Sequence, residues 1–319
     1  MRKLIVAVLA AALMAPAIAW AQAWPSKPIR FVIPFGPGSA SDALARIAGQ
    51  ELGQALGQPI VVVHKPGADG ALSAIEVQRS APDGYTFLFG TNSPLAVVPN
   101  MRKEPPYDVT KDFTPVTYLG DNTYFFAIHP SIPATTMKEF VEYAKKSGKS
   151  LNYSAGNTFA LVGTAMIGRN NGIEFQPVTY KSEPDSILDV LSGRVEILHG
   201  TATTILPHVK EGKLRVLATS FGTRSPLLPE TPSFPEAGQQ VLPIGPWFAL
   251  VAPAGLPADI QARMNKEMVV VLAKPNVIEQ MNRQGFIPRS SSPEELAAHM
   301  KAQLGVWNKA LRDAGMEAQ

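Results

Sequence analysis

Gly36-Pro-Gly-Ser-Ala-Ser-Asp42 is the first stretch whose residue types and spacing suit an anion. Gly36 and Gly38 allow backbone conformations that a Cβ would block and let the chain approach a ligand closely. Ser39 and Ser41 add hydroxyls, and Phe35 stands beside them as an apolar neighbour. The stretch lies between an apolar run, 29–33, and an amphipathic pattern with Leu44, Ile47, Ala48, Leu52 and Leu56 on one face. A strand–loop–helix order leaves the first N–H groups of the helix, that of Ala40 included, without intrahelical partners. The positive end of the helix dipole points the same way. The result is a seat for an anion such as a carboxylate. A plain helix cap is the alternative, since Ser39 and Asp42 also have capping-box spacing. The third glycine of the dinucleotide fingerprint is absent, as is the Gly-Lys-Ser/Thr of a P-loop.

Several other chemistries are excluded. There are no cysteines, which removes disulfides, thiolate metal sites and a cysteine nucleophile. His64, His129, His199, His208 and His299 show no metal-ligand spacing, so neither metal nor cofactor is expected. An exported α/β hydrolase is the competing enzyme reading, but Gly-x-Ser-x-Gly and His-Glu-x-x-His are both missing. The net charge of +3 is small and scattered, so no nucleic-acid partner is expected.

The elements that must position the cradle follow in order. A second apolar strand is expected over 59–63, a helix over 71–80 and a third strand over 86–89. The third strand empties into Gly90-Thr-Asn-Ser-Pro94. Such alternation argues a parallel α/β sheet, with ligands at the C-terminal ends of its strands. Asn92 and Ser93 should therefore stand beside Gly38 and Ser39, turn chemistry ahead of Pro94 being the alternative. Residues 100–117, rich in proline and charge, read as an irregular surface segment.

A second alternation begins with a strand over 124–128. Thr136 and Glu139 open a helix, and a strand over 151–154 leads through Ala155-Gly-Asn-Thr-Phe159 into another helix. A helix over 185–191 is expected to turn Ile187, Leu188 and Leu191 inward. The strand over 195–198 empties into His199-Gly-Thr-Ala-Thr203, which brings His199, Thr201 and Thr203 to a strand end. After a proline-rich stretch come a strand over 247–251 and three helical segments. These helices are needed to cover the first sheet, so the chain should cross near Thr123 and return near Pro246.

The expected organisation is a targeting segment, 1–23, a discontinuous lobe of 24–123 plus 246–319, and a second lobe of 124–245. Arg2 and Lys3, the apolar run from Leu4 to Met14 and Ala19-Trp-Ala21 carry the first of these expectations. Two connecting segments make a hinge, and strand-end loops of both lobes would face one cleft.

Particular stretches sharpen this. They are Trp24-Pro-Ser-Lys-Pro-Ile-Arg-Phe-Val-Ile-Pro-Phe35, Leu56-Gly-Gln-Pro-Ile-Val-Val-Val63 with Lys65-Pro-Gly-Ala68, and Pro82-Asp-Gly-Tyr-Thr86. Further on come Tyr153-Ser-Ala-Gly-Asn157, Tyr180-Lys181, Leu206-Pro-His-Val-Lys-Glu-Gly-Lys-Leu-Arg-Val-Leu-Ala218 and Thr231-Pro-Ser-Phe-Pro-Glu-Ala-Gly238. In this order they resemble the substrate-binding proteins of tripartite tricarboxylate transporters, the Bordetella uptake gene family.

The resemblance implies a two-lobed α/β type II periplasmic-binding-protein fold, with a mixed sheet flanked by helices in each lobe and a two-strand hinge. It implies a periplasmic, monomeric protein without catalysis. Such a protein passes a carboxylated solute to a two-subunit membrane permease. In that family the first strand–helix loop, here Gly36 to Asp42, holds a ligand carboxylate. The second lobe's loop is here Gly156 to Val162, which adds Asn157, Thr158 and the N–H groups of Phe159 and Ala160. The family's Phe-Asp-Asn reads His199-Gly200-Thr201 here, which removes an acidic side chain and adds a possible donor in His199. Phe35 and Phe159 facing the cleft would suit an aromatic or apolar mono- or dicarboxylate. A sensor subunit docking a membrane kinase would use the same cleft.

Overall fold

The computed structural model describes residues 24–316 and residue 318, so the targeting segment expected over 1–23 lies outside the described residues. Strand β1 (Ile29–Ile33) is apolar apart from Arg30, and it pairs in parallel with β2 (Ile60–His64) and β3 (Thr86–Thr91). Parallel neighbours need crossovers. Helices α1 (Ala40–Leu56) and α2 (Ala71–Gln78) supply them. After β3 the chain turns through a π-helical segment, Ser93–Val97, into the short helix α3 (Val98–Met101).

The irregular segment expected over 100–117 is corrected by β4 (Phe113–Asn122), a ten-residue strand. Pro115 and Gly120 hid it. Both sit where its pairing with β10 (Trp247–Pro253) shifts register, and proline in a ladder is confined to edges and bulges. Gly120 has φ +138°, and a Cβ there would stand 2.2 Å from the Ile287 carbonyl oxygen. The first sheet is completed by β11 (Phe286–Pro288), in the order β11-β4-β10-β3-β1-β2.

The second sheet begins one residue past β4 with β5 (Tyr124–Ile128). It continues through α4 (Met137–Lys146), β6 (Asn152–Ala155), α5 (Thr158–Asn170) and β7 (Gln176–Thr179). Helix α6 (Glu183–Leu191), β8 (Ile197–Thr201), α7 (Ala202–Lys210) and β9 (Arg215–Thr219) complete it. Its order is β7-β6-β8-β5-β9, with β5 antiparallel to both of its neighbours. Helix α6 starts at Glu183, ahead of its expected first residue, Asp185. Ser186 and Val190 face inward, whereas Leu188 is 73% exposed.

Helices α8 (Ala258–Leu272) and α9 (Pro275–Arg283) bury Met264, Met268, Val271, Val277 and Met281 in the core that α1 shares with the first sheet. Helix α10 (Pro293–Asp313) opens with a capping box between Ser292 and Glu295 and buries Leu296, Met300, Trp307 and Leu311. Trp307 also meets Phe159 of α5, ring centroids 6.5 Å apart. One apolar cluster therefore runs from Val32 and Trp247 of the first sheet to Phe126 and Tyr153 of the second.

Candidate functional site

Five helical starts meet where the strand ends of the two sheets face each other. Ser39, Ala40 and Ser41 open α1, and Thr91, Asn92 and Ser93 lead into the π-helical turn. Asn157 opens α5, Glu183 opens α6 and Thr201 opens α7. Each start leaves N–H groups without intrahelical partners and adds a positive dipole end. Phe35, Phe248 and Pro246 give an apolar flank, and Asn122, Tyr124 and Gly156 close the remaining wall.

The cavity between them is about 30 Å³, room for about two water molecules. The lobes are in contact around it. Ser93 Oγ lies 2.6 Å from Thr158 Oγ1. A Cβ on Gly285 would stand 2.5 Å from Ala202 Cβ, and Thr203 Oγ1 donates to the Gln284 carbonyl at 3.4 Å.

Four buried side-chain atoms of the cavity wall have no hydrogen-bond partner among the described residues: Ser41 Oγ, Asn92 Nδ2, and Nδ2 and Oδ1 of Asn122. Buried polar groups are nearly always paired, so this concentration in one wall sets the cavity apart from the rest of the described interior. The expected cap is also present, since Ser39 Oγ accepts from the Asp42 N–H at 3.3 Å. The return bond differs: the Asp42 carboxylate accepts from the Gly38 N–H at 3.2 Å. Burial raises the Asp42 carboxyl, but the Gly38 N–H, His64 and Arg46 outweigh that and hold it below the ordinary aspartate range.

Of the residues singled out in the sequence, Phe35, Ser39, Ala40, Ser41, Asn92, Ser93, Asn157 and Thr201 line the cavity. Gly36 packs behind it against Ser182, and Gly38 is exposed with φ +78°. Asp42 faces Arg46 and His64 outside it. Thr158 is spent on Ser93, Thr203 on Gln284, and the Ala160 N–H on the Asn157 cap at 2.9 Å.

The expectation that Phe159 and His199 face the cleft is corrected. Phe159 is 1% exposed and packs on Tyr124 and Trp307. His199 is fully buried, with Nδ1 3.3 Å from Thr164 Oγ1 and Nε2 2.5 Å from Ser220 Oγ. Burial pushes its pKa down to about 3, which keeps the ring neutral.

Asn122, Tyr124 and Glu183 belong to the wall without having been singled out. Asn122 precedes the expected crossing near Thr123, which was the available signal. Glu183 falls two residues ahead of the helix expected over 185–191, and its burial is a tertiary fact. Its Oε1 accepts from Thr201 N at 2.8 Å and Thr201 Oγ1 at 3.0 Å, and its Oε2 from Asn157 Nδ2 at 3.3 Å. Burial nonetheless pushes the carboxyl above the ordinary glutamate range.

Two lobes that close helix starts and unpartnered polar atoms around a small cavity define a substrate-binding protein of the two-lobed kind. A family model described as the tripartite tricarboxylate transporter family receptor matches residues 44–316. The chain belongs to that family, whose members are binding proteins rather than enzymes. A protein of Bordetella bronchiseptica is 33% identical over 317 residues, covering 99% of this chain and 94% of its own. The periplasmic binding protein BugD is similar in structure at TM-score 0.87 and 27% identity, over 93% of this chain and all of its own. R. palustris Rpa4515, solved with adipate, aligns at TM-score 0.89 and 27% identity, again over 93% of this chain and 100% of its own.

Proposed function

We propose that this protein captures an organic carboxylate between its lobes in the periplasm and delivers it to a two-subunit membrane permease. The observation that carries the reading is the set of unpartnered polar atoms on Ser41, Asn92 and Asn122, buried beside the start of α1. A carboxylate supplies the acceptors that Ser41 Oγ, Asn92 Nδ2 and Asn122 Nδ2 lack. Each hydrogen bond to a charged group contributes about 1.5–3 kcal/mol. Three of them, with burial of an apolar body against Phe35, Pro246 and Phe248, reach the roughly −8 kcal/mol of micromolar binding. The adipate-bound relative supports the class of ligand. The leader-like residues 1–23, and the periplasmic relative BugD, support the location.

Because the cavity is far smaller than an organic acid, residues 24–123 with 246–319 and residues 124–245 part to admit the solute and close over it. A thermal-shift screen across aliphatic and aromatic carboxylates tests the reading. At a hundredfold excess over Kd, the right solute stabilises by about 2.7 kcal/mol and raises Tm by about 4 °C. A panel in which no carboxylate moves Tm contradicts it.

A further inference from the structure

This inference rests on the carboxylate reading and concerns the opposite wall of the same cavity. That wall carries one carboxyl, Glu183, 6% exposed, and no Lys, Arg or His stands among the described residues of the lining. The carboxyl sits in a notch cut by glycine. A Cβ on Gly200 would lie 2.6 Å from Glu183 Oε1, and one on Gly156 would lie 2.6 Å from the Glu183 backbone. Oε1 takes the two donors of Thr201 and Oε2 the 3.3 Å bond from Asn157, with the Thr204 hydroxyl also close to the carboxyl; the long Asn157 bond leaves Oε2 as the oxygen open to a better donor.

The groups facing Glu183 from the packed elements are neutral or weakly acidic. They are Tyr124 from β5, Asn157 from α5, and Thr201 and Thr204 at the start of α7. His199 is turned away onto Thr164 and Ser220. The first-lobe wall therefore offers the donors of Ser41, Asn92 and Asn122, with Asn122 Oδ1 beside them, and the second-lobe wall offers a carboxyl acceptor.

We propose that Glu183 sets the ligand class: a monocarboxylate bearing a hydrogen-bond donor, such as an ammonium, amide N–H or hydroxyl, at its other end. The ligand carboxylate lies on Ser41, Asn92 and Asn122, and the donor lies on Glu183 Oε2. A second carboxylate in that place meets a like charge in a buried space with no cation, and one of the two must take up a proton.

The test is calorimetry at pH 7.5 with sets matched in length, from four to six carbons: the alkanoate, the ω-amino acid and the dicarboxylate. At the length that binds most tightly, the ω-amino acid exceeds the dicarboxylate by about tenfold or more, the worth of one charged hydrogen bond. Glu183→Gln replaces the open acceptor by a donor of the same size, and the ratio falls towards one or inverts. The wild-type protein gives a second readout if that variant does not fold. Between pH 7.5 and 5.5 the dicarboxylate gains affinity relative to the ω-amino acid. A dicarboxylate that binds the wild type as tightly as the ω-amino acid at pH 7.5 overturns the inference, whatever the variant does. A ratio that Glu183→Gln leaves unchanged does so too. If no member of any set binds and the wider carboxylate screen is also silent, the carboxylate reading itself fails.

Discussion

Asn122→Ala lowers the affinity for the bound carboxylate by about one to two orders of magnitude, the loss of one hydrogen bond to a charged group. Asn122 is 1% exposed, and neither atom of its amide has a partner among the described residues. Its backbone N–H donates to the Pro246 carbonyl at 3.0 Å, where the two crossing segments run side by side, which fixes the backbone that carries the amide. The same substitution leaves the ligand-free protein within about 1 kcal/mol of the wild type, because it deletes a buried amide that no protein group satisfies. Calorimetry with the tightest solute of the screen, paired with urea unfolding of the ligand-free proteins, checks both halves. A large loss of stability with unchanged affinity would make Asn122 a structural residue and remove it from the site.

His199→Phe flattens the acid end of the stability profile. The folded ring is held down to about 3 by burial, while the unfolded ring keeps its ordinary value of 6.5. Between those values the unfolded chain binds a proton that the folded chain refuses. Stability from this group is therefore complete above about pH 6.5 and is lost progressively as the pH falls towards 3. Between pH 7.5 and 4.5 the wild type loses about 2–3 kcal/mol more than His199→Phe, at about 1.4 kcal/mol for each pH unit below 6.5. The variant starts lower at neutral pH, because Thr164 and Ser220 lose their ring partner. Glu183 works in the other direction: its raised carboxyl gives stability below the unfolded value near 4.5, lost as the pH rises through the folded value. Urea unfolding at the two pH values compares the slopes. Parallel losses in the two proteins would mean that the ring protonates in the folded state.

Both alternations of strand and helix were legible in the sequence, because each strand is a short apolar run closed by a Gly- or Ser-rich loop. The strand–loop–helix order around 29–56 was legible for the same reason, with Ser39 and Ser41 at the start of α1, whereas Gly36, Gly38 and Asp42 fall outside the cavity lining. Strand β4 was not, since Pro115 and Gly120 break its apolar pattern where the ladder bulges. His199 was assigned to a loop because the strand was expected to end at Leu198. Strand β8 runs on to Thr201, which leaves the ring inside the sheet against Phe126 and Phe159. Glu183 is the more instructive omission. The helix was expected to begin at Asp185, so Glu183 stood ahead of it in a connecting turn, and an acidic residue near a helix start is ordinary dipole chemistry. Only the folded chain, with Gly156 and Gly200 giving up their side chains around it, makes it part of a cavity wall. The acidic side chain that seemed lost at Gly200 is thereby matched by one from a different element.

A crystal structure of the protein grown with the tightest carboxylate of the screen tests the central claim most directly. The account predicts the carboxylate between the lobes, within hydrogen-bond distance of Asn92 Nδ2 and Asn122 Nδ2 and at the start of α1. A carboxylate bound elsewhere, with the Asn122 amide still without a partner, would contradict it.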